Sequence, residues 1–205
     1  MIINQALLNS MSPCENRYDN FKKNYEDKDR TLKEFLSLDK ISHKDKLWVV
    51  IRLMNNIQKI EFACYCAESV IHIYDKYNSD SQSRRECISA ARNVIKCLED
   101  YNRKCISSYT FSVALEKAYT TAVDTLALKI SMGEPYEPYA ACANVAKAAS
   151  FIKVCDLCEP ISYETSTTSY ATCSVNYADD CIEYLKENNQ RILQITYALK
   201  LLGED

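Results

Sequence analysis

Glycine and proline are nearly missing from this chain, with two and four among its 205 residues. Glycine supplies the positive φ that tight hairpins and phosphate-cradling loops require, so its scarcity argues against β-rich folds and for long helices joined by polar turns. A basic excess is also lacking: the formal net charge is −3, which argues against a general nucleic-acid binder held by phosphate contacts. No apolar run reaches the roughly 18 residues of a membrane span. The start, MIINQALLNSMSPCENR, lacks the basic opening and long apolar centre of a signal peptide, so a cytoplasmic location is expected. Histidine is limited to His43 and His72, and no paired carboxylates stand in a setting suited to acid–base chemistry. The expectation is a protein that is not an enzyme and carries no cofactor.

What is present can build a core. Hydrophobic residues make up 47% and charged residues 26%, the balance of a folded domain. One helical domain over 1–205 is expected, with possible halves at 29–104 and 105–205. The region 46–99 organises the rest. Ser42 followed by Asp45 resembles a capping box with a shorter acid, opening a helix whose apolar face is Leu47, Val50, Ile51 and Met54. Asn55 and Asn56 make a break. From Ile57 to Tyr77 the apolar residues Ile60, Ala63, Cys66, Val70, Ile73 and Tyr77 recur at helical spacing. NSDSQS ends that helix, and Ser83 with Glu86 starts the next, which runs to Glu99. It turns Arg84, Cys87, Ala91, Val94 and Leu98 to one side and Arg85, Ser89, Arg92 and Lys96 to the other.

Outside this region the same spacing predicts one short helix or ordered arm within residues 1–28, and a helix from Thr31 to Leu38 with Asp29 as its cap. A helix from Asn102 or Ser107 to Ile130 ends at Gly133, Pro135 and Pro138. Tyr139 to Cys158 is an alanine-rich helix whose small side chains permit close packing, closed by Pro160. ISYETSTTSY reads as a loop, and Val175 to Leu202 as the last helix. The expected fold is all-α, a multi-helix bundle of about six to eight helices or a set of stacked helical hairpins.

Eleven cysteines sit mostly where a helix buries a small apolar residue, as free thiols do in a reducing compartment. Cys155 and Cys158 form a CxxC at the end of a predicted helix, where the dipole raises a thiol pKa, which argues against redox chemistry. Cys64 and Cys66 point to different faces and make a poor chelating pair, so no metal site is expected. His72 follows Glu68 by four residues on one helix face. Arg85, Arg92 and Lys96 share one side of the next helix. Such a charge run is most often a solvated face. If the two helices pack antiparallel, however, Tyr65, Glu68 and His72 approach that basic line and form a polar seam or a basic ligand site. Arginine forks bind carboxylate or phosphate there. Fifteen tyrosines against five phenylalanines also suit interfaces or nucleotide pockets, with Tyr136, Tyr139, Tyr163, Tyr170 and Tyr177 clustered near the prolines and the expected loop.

The segments CAESVIHIYDKY and SDSQSRRECISAARNVIK resemble a helical family labelled immunity proteins, whose relatives also occur in phage genomes. The likeness is carried by Cys66, Ala67, Glu68 and Val70, then Asp80, Arg84 or Arg85, Ile88, Ala90, Ala91 and Arg92, within residues 45–104. It implies a protein of bacterial or phage conflict that neutralises a toxin or a host-defence effector by sequestration. The candidate binding set is Tyr65, Glu68, His72, Arg84, Arg85, Arg92 and Lys96. Its occupant is an effector protein or, alternatively, an anionic nucleotide second messenger held by Arg, Lys and Tyr. A homo-oligomer is the default state.

Overall fold

Short polar side chains become helix caps. In the computed structural model, which describes residues 1–74, 82–132, 136–150, 160–185 and 188–204, a pairing of β1 (Ile2–Ile3) with β2 (Arg30–Thr31) is the only strand structure among the described residues. Between these strands lie α1 (Gln5–Ser10), capped by Asn4, and α2 (Glu15–Asn24). Thr31 and Glu34 form a reciprocal capping box on α3 (Leu32–Leu36), so Thr31 rather than Asp29 is the cap. Ser42 caps α4 (His43–Leu53) by accepting from the Asp45 amide. Asn55 and Gln58 exchange bonds of the same kind at the head of α5 (Asn56–Tyr74). α6 (Gln82–Asn102) follows, and Ser107 caps α7 (Ser108–Met132).

The remaining helices are α8 (Tyr136–Ser150), α9 (Pro160–Leu185) and α10 (Asn188–Leu201). The protein is thus an all-α multi-helix bundle. Its middle is α8, which packs against α5, α6, α7 and α9. Ala140, Ala141, Cys142, Ala143, Val145, Ala146, Ala148 and Ala149 all have no exposed surface. Their size explains the position: helix axes approach closely only where side chains are short. At one such approach the buried Ser174 hydroxyl of α9 donates to the Ala141 carbonyl of α8 at 2.8 Å. Arg84, on α6, is also fully buried, and its guanidinium lies 4.8 Å above the ring of the buried Tyr139.

Buried thiols line the same core. Cys64 and Cys66 of α5, Cys87 of α6, Cys142 of α8 and Cys181 of α9 are all buried. Burial pushes the Cys64 thiol up to about 12 and the Cys87 thiol to about 11. Cys87 also lies 3.1 Å from the Thr125 hydroxyl of α7.

Several sequence expectations are corrected. ISYETSTTSY is not a loop: it lies within α9, whose described residues begin at Pro160, while the expected end of the alanine-rich helix before it lies outside the described residues. Just past the hydroxyl-rich stretch, the Thr172 hydroxyl donates back to the Thr168 carbonyl at 2.7 Å, which is how such a group is satisfied on a helix. The expected helix Val175–Leu202 is two, since α9 ends at Leu185 and α10 begins at Asn188. Within residues 1–28 there are two helices rather than one, and α8 starts at Tyr136 with Pro138 in its first turn, where a missing N–H is tolerated. Gly133, Pro135, Cys155 and Cys158 lie outside the described residues.

A buried polar network ties α4, α9 and α10 together. Asp179 of α9 is 1% exposed and accepts from the Arg191 guanidinium of α10 at 2.7 and 3.2 Å. His43, at the head of α4, places Nε2 3.2 Å from the Gln194 side-chain oxygen and 3.8 Å from Asp179. Lys44 and Asp180 form a further ion pair beside it. Burial lowers the His43 pKa despite the opposing Gln194 bond and Asp179 charge.

Two outcomes are expected. Arg191→Met strands the buried Asp179 carboxylate and costs about 3–5 kcal/mol in urea unfolding, and adding Asp179→Leu restores most of the loss. A histidine whose folded pKa is depressed contributes stability that is present above its unfolded value near 6.5 and lost as pH falls through the folded value. Wild-type stability should therefore fall more steeply from about pH 7 to pH 5 than that of His43→Gln, as chemical denaturation at each pH will show.

Candidate functional site

The polar seam is a groove between α5 and α6. On α5, Glu61, Tyr65 and Glu68 stand at spacings of four and three residues and so occupy one face. On α6, Arg85, Ser89, Arg92, Lys96 and Glu99 do the same. The helices run antiparallel, so that Glu68 stands among Arg85, Ser89 and Arg92 while Glu61 faces Lys96 and Glu99. Glu68 accepts from Arg92 at 2.7 Å, the direct bridge across the groove.

Two neighbouring depressions share Arg92. One, of about 280 Å³, has Ile71 and Ile88 with Glu68, Arg85, Ser89 and Arg92 around it. The other, of about 270 Å³, is lined by Glu61, Arg92, Ile95, Lys96, Glu99 and Tyr197. Tyr197 comes from α10, which is also tied to α5 by the Gln58 amide donating to the Leu201 carbonyl at 2.5 Å. Tyr65 stacks on Tyr197 with ring centroids 4.1 Å apart and planes 12° from parallel.

Both signs of charge line this surface. Arg85, Arg92 and Lys96 share it with Glu61, Glu68 and Glu99, and Glu68 meets Arg92 at 2.7 Å. Burial, then the neighbouring Glu99, pushes the Glu61 carboxyl above the ordinary range, while Arg92 pulls it down. Burial and then Glu61 raise the Tyr197 phenol. Burial does the same for Tyr65, which is half-buried under its partner ring. Below them the Cys64 thiol stays protonated at neutral pH, so it is not a nucleophile despite its nearness to Arg92. The arrangement can donate and accept hydrogen bonds and pair with either charge.

Of the residues singled out in the sequence, Tyr65, Glu68, Arg85, Arg92 and Lys96 are gathered on this one face. Arg84 is not among them. One helical step of about 100° separates it from Arg85 and turns it into the core over Tyr139, so its place in the binding set is corrected. The His72 side chain lies outside the described residues. Of the tyrosine cluster, Tyr139 is a core residue and Tyr170 is half-buried with Lys147 5.7 Å from its ring centre, while the Tyr136 and Tyr163 side chains lie outside the described residues. Sequence reading missed Glu61, Glu99 and Tyr197. Glu61 was within reach, seven residues before Glu68 on the same stripe; Tyr197 enters from a distant helix.

Among the described residues, no group of three or more His, Cys, Asp or Glu side chains is placed to hold a metal ion. No described helix is long and apolar enough to cross a membrane. No protein-family model, curated protein or solved structure matches the chain. The functional reading therefore starts from the chemistry of the groove.

Arg92 is 59% exposed, and an ion pair in so much water is worth little. A double-mutant cycle of Glu68→Gln and Arg92→Gln should return a coupling of about 0.2–1 kcal/mol in thermal or urea unfolding, leaving both variants folded.

Proposed function

We propose that this chain is a non-enzymatic binding protein that holds an effector protein against the α5–α6 groove and neutralises it by sequestration. The setting is the bacterial or phage conflict that the immunity-family resemblance implies. One observation carries the choice of partner: cations and carboxylates both line each depression of the groove. A protein surface presents both signs at side-chain spacing and meets such a pattern with complementary pairs, which favours correct register and penalises wrong partners. The stacked Tyr65 and Tyr197 add rigid amphipathic area of the type enriched where proteins meet.

The alternative occupant, an anionic nucleotide signal, fits this pattern less well. Its phosphates bring negative charge into a groove holding Glu61, Glu68 and Glu99, and the Tyr65 ring that would stack on a base is already covered by Tyr197. Arg85, Arg92 and Lys96 are the features that favour it.

The test separates the two. Tagged protein incubated with lysates of candidate bacterial hosts should retain one protein in stoichiometric amount. Arg92→Glu combined with Lys96→Glu should weaken retention at least about tenfold, equivalent to about 1.4 kcal/mol, while reversal of the exposed Lys23 on α2 leaves it unchanged. A nucleotide at 100 times its dissociation constant would stabilise the fold by about 2.7 kcal/mol. If cyclic or ADP-ribose-type nucleotides produce such a thermal shift and no protein is retained, effector sequestration is wrong.

A further inference from the structure

A second concavity lies away from the α5–α6 groove, where α1, α2 and α3 fold over α4 and meet Asn176 of α9. It encloses about 220 Å³. Its walls are apolar and ring-rich: Leu8, Phe21, Phe35, Ile41, Trp48 and Val49. An apolar protein cavity of about 150 Å³ is large enough for benzene, so this one has room for a substituted ring.

The polar groups around it are unevenly matched. Arg17, at the edge, pairs with Asp45 and is 55% exposed. Asp45 has a second partner in the Ser42 hydroxyl, which donates to its other oxygen at 2.6 Å, so Arg17 can turn to another anion without stranding a carboxylate. Behind Trp48, the Arg52 guanidinium lies 3.6 Å from the ring centre, and its buried Nη1 has no hydrogen-bond partner among the described residues. Asn176 of α9, half-buried, also lines the hollow. Arg17 is thus the guanidinium at the edge of an apolar, aromatic-lined hollow, and Arg52 stacks behind its Trp48 wall.

We infer that this hollow is a binding site for a small aryl-alkyl carboxylate, with its ring among Phe21, Phe35 and Trp48 and its carboxylate on Arg17. Ring edges and faces supply the apolar contact, and the arginine fork supplies paired charge-assisted hydrogen bonds. Asn176 contributes an amide donor at the same opening. The site uses none of the α5–α6 groove residues, so it stands or falls independently of effector binding.

The fold carries its own reporter. Cys14 lines the hollow and is exposed, while Cys105 is exposed elsewhere. Phenylacetate and 3-phenylpropionate serve as probes, 2-phenylethanol as the uncharged counterpart and acetate as the ringless one. The full chain is titrated with each while thermal shift and the rates of iodoacetamide labelling at Cys14 and Cys105 are read by mass spectrometry. The aryl carboxylates should raise the melting temperature saturably and slow Cys14 labelling at least about fivefold with Cys105 unchanged. Arg17→Gln, an exposed substitution, should weaken binding about tenfold, as should removal of the charge in 2-phenylethanol. No saturable shift with either acid at millimolar concentration, or a shift that leaves Cys14 labelling unaltered, overturns the site. Equal affinity for phenylacetate and 2-phenylethanol overturns the role of Arg17.

Discussion

The bundle depends on how little side chain α8 carries. Four helices close on it at once, and this is possible because positions 140–149 present mainly alanine, with cysteine and valine at intervals. Each methyl group added to that surface pushes a neighbour outward, and a core already at crystal-like density has no slack to absorb it. The outer helices are therefore fixed in position by contact with α8 rather than by their own turns. α5 and α6 both rest on it, so the groove between them has a rigid floor. A surface held in this way loses little conformational entropy when it binds, which is where affinity is usually lost.

Polar groups inside the fold mark the places where shape alone does not determine the fit. Arg84 lies over Tyr139 between α6 and α8, and Asp179 gathers Arg191 and approaches His43 where α4, α9 and α10 meet. The second arrangement joins residues far apart in the chain, since His43 and Gln194 are separated by 151 positions. It fastens the last helix to the first half of the protein, and through Tyr197 that helix completes one wall of the groove. The position of a groove residue thus depends on a charge network at the other end of its helix.

Much of this was legible beforehand, and the failures have identifiable causes. Helical spacing located α4 to α7; Ser42 was legible as a cap, Asn55 with Asn56 as a break, and Ser107 as one of two starts with Asn102, and in the fold all three of Ser42, Asn55 and Ser107 cap helices. The basic line and Glu68 could be placed on facing surfaces because helices separated by so few residues have few ways to pack. α9 was hidden by composition: threonine, serine and proline signal loops, and only a view of the carbonyls that receive the hydroxyls reveals a helix. Helical spacing puts Arg84 on the apolar side and Arg85 on the other, so including both in one binding set overlooked the single step of rotation that makes Arg84 a core residue and Arg85 a surface residue. Tyr197, Asp179 and the hollow under α1–α3 depend on distant pairings, which local periodicity does not encode.

The buried thiols have a further consequence. α5, α6, α8 and α9 each carry at least one cysteine that is shut away from water. A thiol in that state is unreactive until its own helix separates from the bundle, because both access and ionisation require solvent. Each helix is thereby tagged with a chemical clock. Timing the tags against one another would give the order in which the bundle breathes open, and would show whether the helices beside α8 leave it together or singly.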